Sequence, residues 1–140
     1  MSGDLKLELL AGVPLFARCS RSAVKAIAGL VDEVDVPDGK VLLREGDMAH
    51  EFFLILEGRV RIERGGQVLG RLGPGEFMGE IALIDKGPRT ATATAERPGR
   101  VGVLARREFH SLLDAHPDVR IAVLEALARR VRHLEPDRID

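Results

Sequence analysis

The chain has 140 residues, of which 45% are hydrophobic and 31% charged, with a formal net charge of −1. That length supports one domain able to bury about two-thirds of its unfolded surface. The near-neutral balance supplies no overall field for nucleic acid or an anionic membrane. The single cysteine, Cys19, has no internal disulfide partner and fits a reducing, cytoplasmic setting. No apolar run reaches bilayer length, and the start Met-Ser-Gly-Asp-Leu-Lys lacks an apolar signal core. Trp and Tyr are absent, which speaks against a stacking platform for single strands.

The N-terminal third reads as helix. Leu5, Leu7, Leu9 and Leu10 precede a break at Val13-Pro14-Leu15-Phe16. Either Ser20 or Ser22 can cap a second helix, in which Val24, Ile27, Ala28 and Val31 recur at helical spacing. From Val31 the period becomes that of strands. Val34-Asp35-Val36, Pro37-Asp38-Gly39 and Val41-Leu42-Leu43 read as strand, turn, strand. Phe52 to Leu56 is a continuous apolar run of buried-strand length, and Gly58 turns into the alternating Val60-Arg61-Ile62-Glu63. Gly65-Gly66 is a two-residue hairpin signal before Val68 to Leu72, which Gly73-Pro74-Gly75 closes. Gly46, Gly58, Gly73 and Gly75 are expected to supply turn conformations closed to other residues. Thr90 to Ala95 and Val101 to Leu104 are β-like.

The C-terminal part returns to helix. Phe109, Leu112 and Leu113 mark a short amphipathic helix that Pro117 ends or restarts. Ile121, Leu124, Leu127, Ala128, Val131 and Leu134 then follow a period near three and a half, up to Pro136. The predicted fold is α+β, mainly β. Helices occupy 1–30, a sandwich or roll occupies 31–105, and further helices occupy 106–135 of a single domain, 1–140.

The chemistry concentrates in Phe77-Met78-Gly79-Glu80-Ile81-Ala82-Leu83-Ile84, with Arg89-Thr90-Ala91-Thr92-Ala93 after a short loop. A helical turn opening at Gly79 aims backbone N–H groups and a positive dipole end at one point, which suits an anion. Arg89 adds a permanent planar charge that grips phosphate with two donors. Glu80 can accept from a hydroxyl. A phosphate clamp and a sugar-hydroxyl acceptor therefore lie side by side, as a nucleoside cyclic phosphate requires.

These residues resemble the phosphate-binding cassette of the cyclic-nucleotide-binding domain family, here spanning 77–93. A second signature of that family lies in Gly46-Asp47 and in Phe52-Phe53-Leu54-Ile55-Leu56-Glu57-Gly58-Arg59-Val60. Both occur in family order and spacing, and the likeness runs from about Leu9 to Leu134. It implies a jelly-roll-like, double-stranded β-helix with C-terminal hinge and lid helices. It implies that Glu80 binds the ribose 2′-hydroxyl and that Arg89 binds the exocyclic phosphate oxygens. Backbone N–H groups at Ile81, Ala82 and Ala91 would complete the clamp around Gly79. Leu83 and Phe109 would form the hinge. Val123, Leu127 and Arg130 share a face of the last helix, with Arg130 the candidate for contact with the base.

Thr90 bears on ligand choice. Members with alanine here tend to prefer cyclic AMP, whereas a threonine can bond the guanine amino group of cyclic GMP. The reading favours cyclic AMP and leaves cyclic GMP open. Met78 stands where the family commonly has an aromatic residue, and its thioether can fill that space. Leu124, Leu127, Val131 and Leu134 fit a homodimer seam or, alternatively, packing on the domain's own roll. Arg129, Arg130 and Arg132 also fit a solvated face.

His50, His110, His116 and His133 show no metal-ligand spacing, and no nucleophile elbow occurs. The reading is therefore a regulatory sensor that is not an enzyme and needs no metal or cofactor. Its ligand is a cyclic nucleotide, and its output passes to an attached domain, an effector protein or a second copy. The chain stops where many relatives append another domain. No helix-turn-helix follows Leu134, so this chain alone is not expected to read DNA, nor to bind a membrane. The rival reading is a degenerate β-roll used only for protein interaction or dimerisation.

Overall fold

A computed structural model describes residues 3–79 and 86–134, with side chains over 6–79 and 86–132. The chain divides into two compact units. One is Leu30–His110, and the other joins Met1–Gly29 to Ser111–Asp140.

The Leu30–His110 unit carries the strands. They are β1 (Asp32–Val36), β2 (Val41–Leu43), β3 (Glu51–Glu57), β4 (Val60–Arg64), β5 (Gln67–Leu72), β6 (Phe77–Met78), β7 (Thr92–Ala95) and β8 (Gly99–Ala105). They form two four-stranded sheets, in the orders β1-β8-β3-β6 and β2-β7-β4-β5. Every pairing is antiparallel. One apolar cluster unites the sheets. Phe53, Ile55, Met78 and Val101 come from the first, and Leu43, Val60, Ala93 and Ala95 from the second. This is the mainly β roll that the strand spacing predicts.

The strand β3 explains the continuous apolar run. Phe53 and Ile55 enter the core between the sheets. Phe52, on the opposite face, stacks on Phe77 with ring centroids 5.5 Å apart and on Phe109 at 4.8 Å. A strand buried on both faces has no polar alternation to show. The hairpin β4–β5 turns at Gly65 and Gly66, whose φ values of 57° and 81° both lie in the left-handed region that a two-residue turn of this kind demands.

Two expectations need correction. Gly73 is not among the glycines at positive φ. Its N–H instead donates to Glu76 Oε1 at 2.9 Å, a bond that any residue except proline could make. The strand expected from Thr90 begins only at Thr92, where pairing with Glu63 starts. Before that point the backbone of Arg89 bonds to Gly46 and Asp47 in the loop after β2, and the carbonyl of Thr90 bonds to the Arg64 side chain, so neither joins a ladder.

The second unit contains α1 (Gly3–Ala11), a 3-10 turn at Pro14–Phe16, most of α2 (Arg21–Leu30) and α4 (Pro117–Leu134); α3 (Arg106–Ala115) straddles the boundary. Ser20, rather than Ser22, caps α2, because its Oγ accepts the Ala23 N–H at 3.1 Å. Pro117 restarts the helix, since a first helical position needs no N–H donor. Behind it, Asp118 Oδ2 accepts the Ser20 N–H at 2.8 Å. That bond is the chief reason the Asp118 carboxyl sits below its ordinary pKa.

On α4, Val119, Val123 and Ala126 are buried, whereas Ile121, Leu124 and Val131 are 53–57% exposed. The exposed apolar positions thus include Leu124 and Val131 of the expected seam and add Ile121. Leu127 is half-buried. The side chain of Leu134, and Pro136, lie outside the described residues.

Candidate functional site

The site is built where β6 ends, β3 begins and the chain approaches β7. Gly79 follows β6 with φ +91°. A Cβ added there would lie 2.7 Å from Arg89 Nη1 and 3.0 Å from the Glu51 carbonyl oxygen. Only a residue without a side chain fits both the backbone conformation and the space.

Arg89 is 6% exposed, and it is the one buried charged side chain among the described residues. Its Nη1–H donates to Gly79 O at 2.9 Å, and its Nη2–H donates to Glu51 O at 2.7 Å. Its own backbone is tied as well. The Arg89 N–H donates to Asp47 O at 2.8 Å, and Arg89 O accepts the Gly46 N–H at 2.9 Å. Burying a guanidinium is costly unless its donors meet acceptors. Here the rigid fork is satisfied in part by carbonyls from two strand ends, which fixes the plane of the charge.

Of the other site residues expected from sequence, Glu80, Ile81, Ala82 and Leu83 lie outside the described residues. Thr90 is exposed and Ala91 is half-buried. The Thr90 carbonyl accepts Arg64 Nε–H at 2.8 Å. Met78 is buried in the core between the sheets. Phe109 is buried on Phe52.

Val123 is buried, and Leu127 and Arg130 are half-buried, so the three share one face of α4. They belong to the unit that holds α4, whereas Gly79, Arg89, Thr90 and Ala91 belong to the Leu30–His110 unit.

Sequence reasoning missed the outer supports of the site. Arg64 and Glu45 carry no motif. The hairpin glycines locate Arg64 at a turn, but nothing in the chain's order pairs it with Thr90.

Among the described residues, no group of three or more His, Cys, Asp or Glu side chains is placed to hold a metal. Nor is any helix among them long and apolar enough to cross a membrane. At the other end of β4 from Arg64, a depression of about 350 Å³ is lined by Gly58, Arg59, Arg71, Pro74 and Arg97, among others. Two of its arginines meet a carboxylate of the same chain. Glu96 accepts Arg71 Nε–H at 2.8 Å and lies 3.6 Å from Arg59 Nε. The Arg71 bond leads the effects that hold the Glu96 carboxyl below its ordinary pKa.

A family model described as "Cyclic nucleotide-binding domain" matches residues 33–116. The chain belongs to this family. It is 31% identical over 130 residues to the "CRP-like cAMP-activated global transcriptional regulator" of Mycobacterium tuberculosis, covering 89% of this chain and 58% of that protein. It is 33% identical over 129 residues to the "Cyclic AMP receptor protein" of Thermus thermophilus, covering 89% of this chain and 60% of the relative. The chain thus spans about three-fifths of the length of these curated relatives. The crystal structure of the Thermus thermophilus catabolite activator protein superposes with a TM-score of 0.80 at 32% identity, over 89% of this chain and 61% of that one. The structure of cAMP-bound PfPKA-R shares the fold, with a TM-score of 0.80 at 23% identity over 94% of this chain and 47% of that one.

Proposed function

We propose that this chain binds a 3′,5′-cyclic nucleotide, cyclic AMP in preference to cyclic GMP, and acts as a regulatory module without catalysing a reaction. The observation that carries the reading is the buried Arg89 guanidinium, anchored on the carbonyls of Gly79 and Glu51 beside a backbone that only glycine fits. A fixed, partly desolvated guanidinium recognises a phosphate far better than a mobile surface one.

In this reading Arg89 holds the exocyclic oxygens, with N–H groups of Ile81, Ala82 and Ala91 around Gly79. Glu80 takes the ribose 2′-hydroxyl, and Thr90 lies near the base. Two relatives named for cyclic AMP support that choice of ligand. Binding then repacks the hinge at Leu83 and Phe109 and closes the helix bearing Val123, Leu127 and Arg130, with Arg130 over the base. The ligand does this by favouring the closed state over the open one. The whole of 1–140 works as one cytoplasmic sensor domain. Its output passes through the apolar stripe of Ile121, Leu124 and Val131 on α4 to a second copy or an effector. By itself this chain reads no DNA and binds no membrane.

Thermal melting tests the reading. Cyclic AMP at a hundred times its dissociation constant adds about 2.7 kcal/mol to a chain that binds it only when folded. For this size that is a rise of roughly 5–12 °C. The rise persists in a chelator and is absent with linear 5′-AMP. No shift with millimolar cyclic AMP or cyclic GMP favours the degenerate interaction module instead.

A further inference from the structure

The segment from Arg89 to Thr92 is gripped from two sides. On the β2–β3 side, besides the two backbone bonds of Arg89, Glu45 N–H donates to Thr92 Oγ1 at 3.0 Å. On the β4–β5 side, Arg64 Nε–H donates to Thr90 O at 2.8 Å. The grips are joined, because the next residue, Gly65, donates its N–H to Glu45 Oε1 at 3.0 Å. The hairpin turn is thereby fastened to the loop that holds Arg89.

The Thr90 carbonyl and the Ala91 N–H belong to one peptide unit. That unit is planar and, with no cis peptide among the described residues, trans. Its N–H therefore points opposite to its C=O. Whatever fixes the carbonyl fixes the aim of the N–H. A charged donor on the carbonyl also polarises the unit, which strengthens the N–H as a donor.

We propose that Arg64 is a positioning residue for the ligand: through the Thr90 carbonyl it turns the Ala91 N–H toward the phosphate without touching the ligand itself. Glu45 serves the same end by holding the turn that carries Arg64. The proposal rests on the reading that the Ala91 N–H is a phosphate donor. Arg64 is exposed, so removing it strands no buried group and leaves stability almost unchanged. The effect falls on affinity.

Calorimetric titration of the full chain with cyclic AMP reads it. Arg64→Ala lowers affinity by about three- to tenfold, the scale of one charge-assisted bond open to solvent. The ligand-free melting temperature moves by less than about 2 °C. Arg64→Lys keeps the charge without the planar Nε–H and restores only part of the affinity. The loss persists in 0.5 M salt, where charges are screened beyond about 4 Å. An Arg64→Ala affinity within twofold of wild type overturns the proposal, as does a loss that vanishes in 0.5 M salt. Should the wild type take up neither cyclic nucleotide, the functional reading falls. The clamp is then judged by the Ala91 amide resonance of the ligand-free chain. Arg64→Ala must move that resonance more than amides outside the two loops, and an unmoved Ala91 resonance overturns the clamp.

Discussion

Arg89→Ala is expected to lower cyclic AMP affinity roughly thirtyfold to a few thousandfold, the cost of about 2–5 kcal/mol for removing one partner of a desolvated charge pair. The loss has two sources. The phosphate loses its permanent counter-charge. The carbonyls of Gly79 and Glu51 lose the donors that meet them at 2.9 and 2.7 Å. A buried acceptor left unmet costs about 1–3 kcal/mol, so denaturant melts should also show a less stable ligand-free chain. Arg89→Lys separates the two sources. Its single ammonium restores charge but cannot span two carbonyls with a planar fork. It should bind better than the alanine variant and remain well below wild type. A folded Arg89→Ala chain with wild-type affinity contradicts the phosphate assignment.

Gly79→Ala is expected to harm both stability and binding. At φ +91° an L-residue pays about 1–2 kcal/mol for its backbone conformation alone. The new Cβ also lies 3.0 Å from the Glu51 carbonyl and 2.7 Å from Arg89 Nη1. The carbonyl belongs to β3, which is packed on both faces, so the guanidinium is the group that yields. Its displacement breaks the alignment on Gly79 O and lowers cyclic AMP affinity by about tenfold or more, on the scale of one charged hydrogen bond. Denaturant melts and titration of the same sample measure the two effects together. Wild-type values for both would mean that the space around Gly79 is not closed by Arg89.

The legible parts of the sequence were those in which one local cause decides the outcome. Phe52 to Leu56 announced β3 because a doubly buried strand needs an unbroken apolar run. Gly65-Gly66 announced its hairpin because few other pairs accept two left-handed φ values. Gly79 and Arg89 stand in one motif of the sequence, and the fold joins them through a 2.9 Å hydrogen bond.

What stayed hidden depends on distant segments meeting. Arg64 faces Thr90 only because β4 and β7 pair, and no pattern within either strand encodes that bond. Ser20 and Ser22 offered the same capping chemistry, and only the Ser20 Oγ bond to the Ala23 N–H distinguishes them. The strand β6 has two residues, too short for any period to show. On α4, the apolar spacing marked Leu124 and Val131 but could not say that they face outward with Ile121 while Val119 and Val123 are buried.

The central claim, that this chain is a cyclic-nucleotide sensor with Arg89 at its centre, is tested most directly by calorimetric titration of the wild-type chain with cyclic AMP. The account predicts a saturable heat with one nucleotide per chain. No heat with cyclic AMP up to millimolar concentration, repeated with cyclic GMP, would contradict it.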